Sequence, residues 1–225
     1  MENKVIAIEG LVGAGKTSIC RNLLTKIPNS ILINGGNIYR SIVYAMIKNG
    51  DKLEAIEGKG KSLDIKDMMD LFNINIRIEN QETIMYLGDE KISEELLQSK
   101  ENSLAVSHVG GSADNKKLFE FARNLIDELR KEHNIILSGR SLMIIYPASD
   151  YHLFITASLD ARVRRKCTQY GNKDEYEEIK KNIEERDELQ RKAGFYDFSP
   201  ITKEIDVTDC KTVEESTEKV LSYIQ

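Results

Sequence analysis

Apolar positions along the chain recur in two periods, and the two alternate. VIAIE is a short apolar run of β type, followed by a glycine-rich turn. TSICRNLLTKI then carries Ile19, Leu23, Leu24 and Ile27 at helical spacing, and Pro28 and Asn29 end it. SILIN predicts a second strand, closed by Gly35 and Gly36. NIYRSIVYAMIKNG predicts a helix with Ile38, Ile42, Val43 and Met46 on one face, ending at Gly50. Towards the C-terminus, NIILSGRS reads as a buried strand running into a loop and YHLFITAS as another strand. LDARVRRKC and DEYEEIKKNIEERDELQRK read as charged helices, KEIDVTD as a last strand and TVEESTEKVLSYI as a closing amphipathic helix. Strands alternating with helices predict an α/β fold, a parallel sheet with helices on both faces.

Between residues 51 and 100 the pattern changes. DIKDMMDLF has helical spacing, and NINIRIEN and TIMYLGDEKIS read as two strands of a small hairpin-like sheet. SEELLQSKENSLAVSHVG reads as a polar helix. KKLFEFARNLIDELRKE reads as an amphipathic one with Leu118, Phe121, Leu125 and Leu129 on one side. This stretch looks like an insertion into the α/β core, spanning about residues 47–110 of a single domain 1–225.

Composition narrows the class. A chain of 225 residues with 40% hydrophobic and 31% charged residues can bury a sizeable core and solvate its surface. The net charge of −5 makes a non-specific nucleic-acid binder a poor fit. Cys20, Cys167 and Cys210 are far apart, as are His108, His133 and His152, so neither a zinc site nor a disulfide framework is expected. No run of about 18 apolar residues suggests a membrane span, and the N-terminus lacks a signal-peptide pattern. The expectation is a cytoplasmic monomer with reduced thiols.

Candidate chemistry sits at GLVGAGKTS. Gly10-x-x-x-x-Gly15-Lys16-Thr17 fits the phosphate-binding loop, directly after an apolar strand and directly before a helix. Glycines let successive backbone N–H groups converge on phosphate oxygens, and the helix adds its positive dipole end. Gly10, Gly13, Ala14, Gly15, Lys16, Thr17 and Ser18 are therefore the expected ATP contacts. Lys16 would neutralise the β- and γ-phosphates, and Thr17 would be a ligand for Mg²⁺. The GTPase signature NKxD is absent. Arginines cluster at Arg162, Arg164 and Arg165 and again at Arg186 and Arg191, as a lid that handles phosphate needs.

The ordered set of motifs resembles the cytidylate kinase family of P-loop nucleoside monophosphate kinases. GLVGAGKTS is similar to that family's phosphate loop, GGNIYRS to its SGxxYR element, and LGDEKIS with SHV to its acceptor-binding insertion. IILSGRS is similar to its strand ending in DGRD, TASLDARVRRK and IEERDELQR to the two sides of its lid, and EIDVTDCKTVEESTEKVL to its final strand and helix. The resemblance implies that Arg40 and Arg140 grip the acceptor's phosphate and that Arg186 sits near both phosphates during transfer. It further implies that Arg162 and Arg165 close over ATP within a lid of about residues 162–192, and that Ser107 lies near the acceptor's base. Lys16, Arg140 and Arg186 are then the catalytic group. ATP, Mg²⁺ and a small-molecule nucleotide acceptor are implied, with CMP or dCMP as the default.

The departures from that pattern are equally specific. Gly35 stands where the family has serine, and Ser138 and Ser141 stand where it has aspartate. Asn115 and Ala193 stand near expected arginines, and Gln190 near an expected aspartate. The phosphate-handling arginines persist while most residues implied in cytosine and ribose recognition do not. Ser138 also removes a carboxylate from the surroundings of magnesium, a role left to Glu9 or to water. Two alternatives stay open on these residues: a kinase with another small-molecule acceptor, such as a nucleoside or modified nucleotide, and an ATP-binding relative without catalysis. The opening IEGxxGAGKT and the GRS element are also similar to deoxynucleoside kinases, although NGGN supplies no acid after the second strand.

Overall fold

The computed structural model describes residues 3–50, 69–97, 99, 102, 116–170, 175–192, 194–196 and 198–224. The chain divides into two compact units, residues 1–32 with 133–225 and residues 33–132. The sequence pattern gives the expectation of one domain with an insertion of about 47–110.

In the first unit, β1 (Val5–Gly10) lies between β6 (Asn134–Ser138) and β7 (Tyr151–Thr156), parallel to both, and β7 pairs in parallel with β8 (Lys203–Asp206). On its other side β6 neighbours β2 (Ser30–Asn34). β1 is buried along its whole length, as VIAIE requires of a central parallel strand covered on both faces. Its two faces carry different residues. Ile6 and Ile8 join Ile136, Leu153 and Ile155 in one core, closed by Ile19, Cys20 and Leu23 of α1 (Lys16–Lys26) and Val220 of α8 (Val213–Leu221). Asn22 of α1 donates to Glu214 at 2.7 Å and to Thr217 at 3.2 Å, which fixes the register between α1 and α8. The opposite face presents Val5, Ala7 and Glu9 of β1 and His152 and Phe154 of β7. Phe154 is 2% exposed and stacks against Tyr196 and Phe198, with ring centroids 5.6 and 4.5 Å away.

Two further helices complete this unit. α6 (Leu159–Tyr170) and α7 (Tyr176–Lys192) pack through Val163, Cys167, Ile179 and Ile183, with Val12 of the glycine loop in the same cluster. Their sequence shows few apolar residues because only this narrow stripe is buried. A one-turn helix, α5 (Leu142–Ile145), follows β6; its pattern is too short to register in sequence.

The second unit holds α2 (Gly35–Lys48), an antiparallel pair β3 (Ile74–Glu79) and β4 (Glu82–Leu87), the short β5 (Glu90–Lys91) beside β4, α3 (Glu94–Leu97) and α4 (Lys116–Arg130). The second strand ends at Asn34, as expected, and Gly35 and Gly36 form the first turn of α2, with Asn34 at the N-cap position. The two-residue turn at Asn80 and Gln81 has φ of 49° and 66°, the left-handed pair that suits the twist of a hairpin. Ile38, Ile42 and Met46 of α2 pack on Ile74, Met85 and Leu97, as their spacing predicts. On α4 the buried positions are Ala122 and Ile126, with Leu125 and Leu129 half-buried. The remaining expected contacts there, Leu118 and Phe121, have side chains outside the described residues, as do most of DIKDMMDLF and, Ser99 and Asn102 aside, the continuation of the polar helix beyond Leu97.

The first unit's packing yields a test at the start of the glycine loop. A Cβ on Gly10 would stand 2.6 Å from the Ile155 carbonyl oxygen, whereas one on Gly139 would meet only the end of the Leu142 side chain at 2.8 Å. Gly10→Ala is expected to destabilise the protein by about 2 kcal/mol more than Gly139→Ala, because rigid backbone cannot yield as a leucine methyl does. Urea unfolding of the two variants checks this; equal losses would count against the close β1–β7 approach.

Candidate active site

The parallel strands of the first unit end along one edge, and the loops that leave them carry the chemistry. After β1, Gly13 and Gly15 adopt φ of 78° and 94°, conformations open to glycine, and Gly15 is the N-cap residue of α1. The first turn of α1 contains no acid, so its exposed N–H groups and dipole face the edge uncompensated. Thr17 and Ser18 are exposed there. Lys16 is half-buried and donates from Nζ to Ser138 Oγ, 3.2 Å away at the end of β6. Ser138 is buried, in the place where the resemblance implies aspartate.

Arg140 follows on the same loop, and its Nη1 donates to the Gly139 carbonyl at 3.3 Å. Ser141 has φ of 53°, a left-handed conformation uncommon for a residue with a Cβ, and it begins α5. The cations here are held under electrostatic stress. Burial, and next Arg140, push the Lys16 ammonium down to about 8. Burial also lowers Arg140 from its usual range, a shift that Arg186 reinforces and that Tyr196, Glu9 and Asp187 oppose. Lys16 and Arg140 thus repel one another, and the exposed Arg186 adds to the positive charge felt by Arg140, a condition that favours an anion. Cys20, one turn along α1 from Lys16, is pushed up to about 11 by burial and is an inert thiol.

The other two arginines are placed differently. Arg162 is 6% exposed, and its Nε donates to the Ala157 carbonyl at 3.0 Å. Its Nη1 donates to the Val12 carbonyl of the glycine loop at 3.1 Å and to Asp187 of α7 at 2.6 Å. Arg165 donates to the Ala14 carbonyl at 3.2 Å and to the Val207 and Cys210 carbonyls at 2.6 and 3.1 Å. The resemblance implies that both close over ATP; in the structure their donors grip the backbone of the phosphate loop from the protein side.

Other site members were not legible as such. Asp187 also accepts from the Tyr196 hydroxyl at 3.2 Å, and burial followed by Asp187 raises that phenol to about 12. Tyr196 reaches Gln190 Oε1 as well, at 3.0 Å. Glu9 is buried at the end of β1, with Oε2 2.7 Å from His152 Nε2, and His152 Nδ1 is 2.7 Å from Thr202 Oγ1. The signal existed in part: an acid closing an apolar strand and a histidine inside another both demand partners.

Arg40 belongs to the second unit. Its Nη1 donates to the Leu97 carbonyl at 2.9 Å, and Asn102 ties the two together by donating to the Leu97 and Arg40 carbonyls at 2.9 and 3.1 Å. Ser107 lies outside the described residues, as do Asn115 and Ala193.

Comparison with known proteins decides the family. The cytidylate kinase family model matches residues 6–225. The chain belongs to the cytidylate kinase family. Its curated relatives include the cytidylate kinase of Clostridioides difficile, 31% identical over 238 residues that cover 100% of this chain and 99% of that protein. The cytidylate kinase of Leuconostoc mesenteroides is 29% identical, over 100% of this chain and 96% of that protein. That of Fusobacterium nucleatum is 26% identical with the same coverage, 100% and 96%. The α/β fold with its phosphate loop is thus that of an ATP-dependent nucleoside monophosphate kinase family. Among the described residues no helix is long and apolar enough to cross a membrane.

The lowered pKa of Lys16 has a consequence for stability. The unfolded chain holds this proton more tightly than the folded one. The cost of burying the ammonium is therefore present in full below pH 8 and fades as pH rises from about 8 towards 10.5. Lys16→Met is expected to raise the stability of the ligand-free protein at pH 7 by roughly 1–3 kcal/mol, a gain that shrinks over that window. Denaturant titrations of both proteins at pH 7 and pH 10 check it; an equal or lower stability of the variant at pH 7 would contradict it.

Proposed function

We propose that this protein transfers the γ-phosphoryl group of ATP to CMP or dCMP, forming CDP or dCDP and ADP. The observation that carries the reading is the placement of Lys16, bonded to Ser138 at the end of β6 and acting electrostatically on Arg140 of the next loop, at the start of α1 in a chain that matches the cytidylate kinase family over nearly its whole length. Gly10, Gly13, Ala14, Gly15 and Ser18 cradle the ATP phosphates through backbone N–H groups, with Lys16 as their point charge. An oxygen of the acceptor's phosphate attacks the γ-phosphorus as the bond to the β–γ bridging oxygen breaks. The electron pair leaves with ADP. The acceptor oxygen is already anionic, so no side chain has to remove a proton.

Arg140 holds the acceptor's phosphate and Arg186 neutralises charge on the transferring group. Arg40 and Ser107 are assigned to acceptor recognition. Arg162 and Arg165 act on ATP by holding the loop that binds it, since their donors are engaged by the Val12 and Ala14 carbonyls. Mg²⁺ fits the oxygen donors present. The exposed Thr17 hydroxyl would be a direct ligand, and Glu9 Oε1, without a hydrogen-bond partner among the described residues, lies one residue before the loop. Among the described residues no cluster of acids, histidines or cysteines forms a complete metal cage, in keeping with an ion held largely by phosphates and water. A bound ion would supply positive charge to the nucleotide's phosphates.

The reading predicts ADP release in a coupled assay with CMP or dCMP, and a loss of at least about 100-fold in Lys16→Ala, since one preorganised cation is worth several kcal/mol at such a centre. Arg140→Ala is expected to weaken the acceptor more than ATP. Turnover of nucleosides but not monophosphates would move the acceptor to a hydroxyl. ATP binding without turnover of any acceptor would leave only a nucleotide-binding module.

A further inference from the structure

Glu9 is the last side chain of β1 before the glycine that opens the phosphate loop, and it is 5% exposed. Its two oxygens are treated differently. Oε2 is 2.7 Å from His152 Nε2, and Thr202 Oγ1 is 2.7 Å from His152 Nδ1. With the Nε2 proton donated to the carboxylate, Nδ1 accepts from the Thr202 hydroxyl, so the threonine fixes the imidazole and the imidazole fixes the acid. Oε1 has no hydrogen-bond partner among the described residues. A buried carboxylate oxygen left open is costly, and in a native fold a water, an ion or a catalytic role accounts for one.

The surroundings say which ligand chemistry fits. The charge of Glu9 acts on both Lys16 and Arg140, so the carboxylate lies within the phosphate-binding cluster. Neither cation satisfies Oε1: Lys16 Nζ is bonded to Ser138, and Arg140 to the Gly139 carbonyl. A phosphate oxygen brings only acceptors and would be repelled. The missing partner is a donor, and a hydrated divalent cation that accompanies the phosphates supplies such O–H donors.

We propose that Glu9 is a positioning residue for the metal–nucleotide: Oε1 accepts hydrogen bonds from the water shell of the Mg²⁺ that accompanies ATP, while His152 and Thr202 hold the carboxylate in that orientation. Thr17 is the direct protein ligand. This rests on the ATP-dependent reading above. It predicts that Glu9 selects Mg·ATP over metal-free ATP, because the same acid that receives metal-bound water repels bare phosphate.

The test is nucleotide binding without turnover, by calorimetry of ATP with excess Mg²⁺ and of ATP with EDTA. Wild type is expected to bind Mg·ATP at least 10-fold more tightly than metal-free ATP. Glu9→Gln should lower that ratio at least 5-fold, with metal-free binding unchanged or tighter. His152→Ala should lower it to an intermediate degree and His152→Gln, which keeps an N–H donor, should restore part of it. Thr202→Val, which removes only the far end of the chain, keeps the test open should Glu9→Gln not fold, and is expected to lower the ratio about 2-fold. An unchanged ratio in Glu9→Gln, or in Thr202→Val where the former does not fold, overturns the assignment. Lack of any Lys16-dependent ATP binding by wild type would overturn the functional reading and this inference together.

Discussion

Arg162 is the interaction on which the rest of the first unit depends. One buried guanidinium joins three pieces of chain that are far apart in sequence: the Val12 carbonyl of the phosphate loop, the Ala157 carbonyl at the end of β7, and the Asp187 carboxylate of α7. A glycine-rich loop has little preference for any one shape, so its shape must be imposed from outside. Arg162 imposes it through a fixed fork of donors. Gly13 is part of the same fit, since a Cβ there would come within 3.3 Å of Arg162. Arg165 repeats the device one turn further along α6, gripping Ala14 and the turn after β8.

The network also explains the charge distribution. Buried ions are tolerated when paired and bonded, and each anion here has its cation or donor: Asp187 with Arg162 and Tyr196, Glu9 with His152. Lys16, Arg140 and Arg186 are the groups left short of anions, and they surround the place where phosphates are proposed to bind. The protein pairs Arg162 with Asp187 and bonds Arg165 to backbone carbonyls. In this way two arginines three residues apart on one helix, Arg162 and Arg165, do scaffold work that a motif reading assigns to the nucleotide.

Much of this architecture was legible in the sequence. Apolar runs of five residues separated by helical spacing sufficed for the parallel sheet, and Gly15-Lys16-Thr17 sufficed for the phosphate loop. The hairpin at Asn80 and Gln81 was visible as two alternating runs, although its turn uses no glycine. What stayed illegible was partnership across the fold. Nothing near Arg162 in sequence distinguishes it from Arg164, which is exposed; only the approach of α7 brings Asp187 to it. Glu9, His152 and Thr202 lie on β1, on β7 and before β8, so their chain of contacts is a product of strand order alone. The helical expectation over LDARVRRKC held because its short stripe, Val163 and Cys167, is i to i+4, whereas the one-turn α5 is too short to leave a period.

The phosphate loop is held by a buried ion pair as well as by its own glycines. A double-mutant cycle on Arg162→Met and Asp187→Leu, read by urea unfolding, measures that pair. Each single change is expected to cost about 3–5 kcal/mol by stranding a buried charge. The double variant should cost less than the sum by at least about 2 kcal/mol. Additivity within about 0.5 kcal/mol would contradict it, because independent sites, not a shared clamp, behave that way.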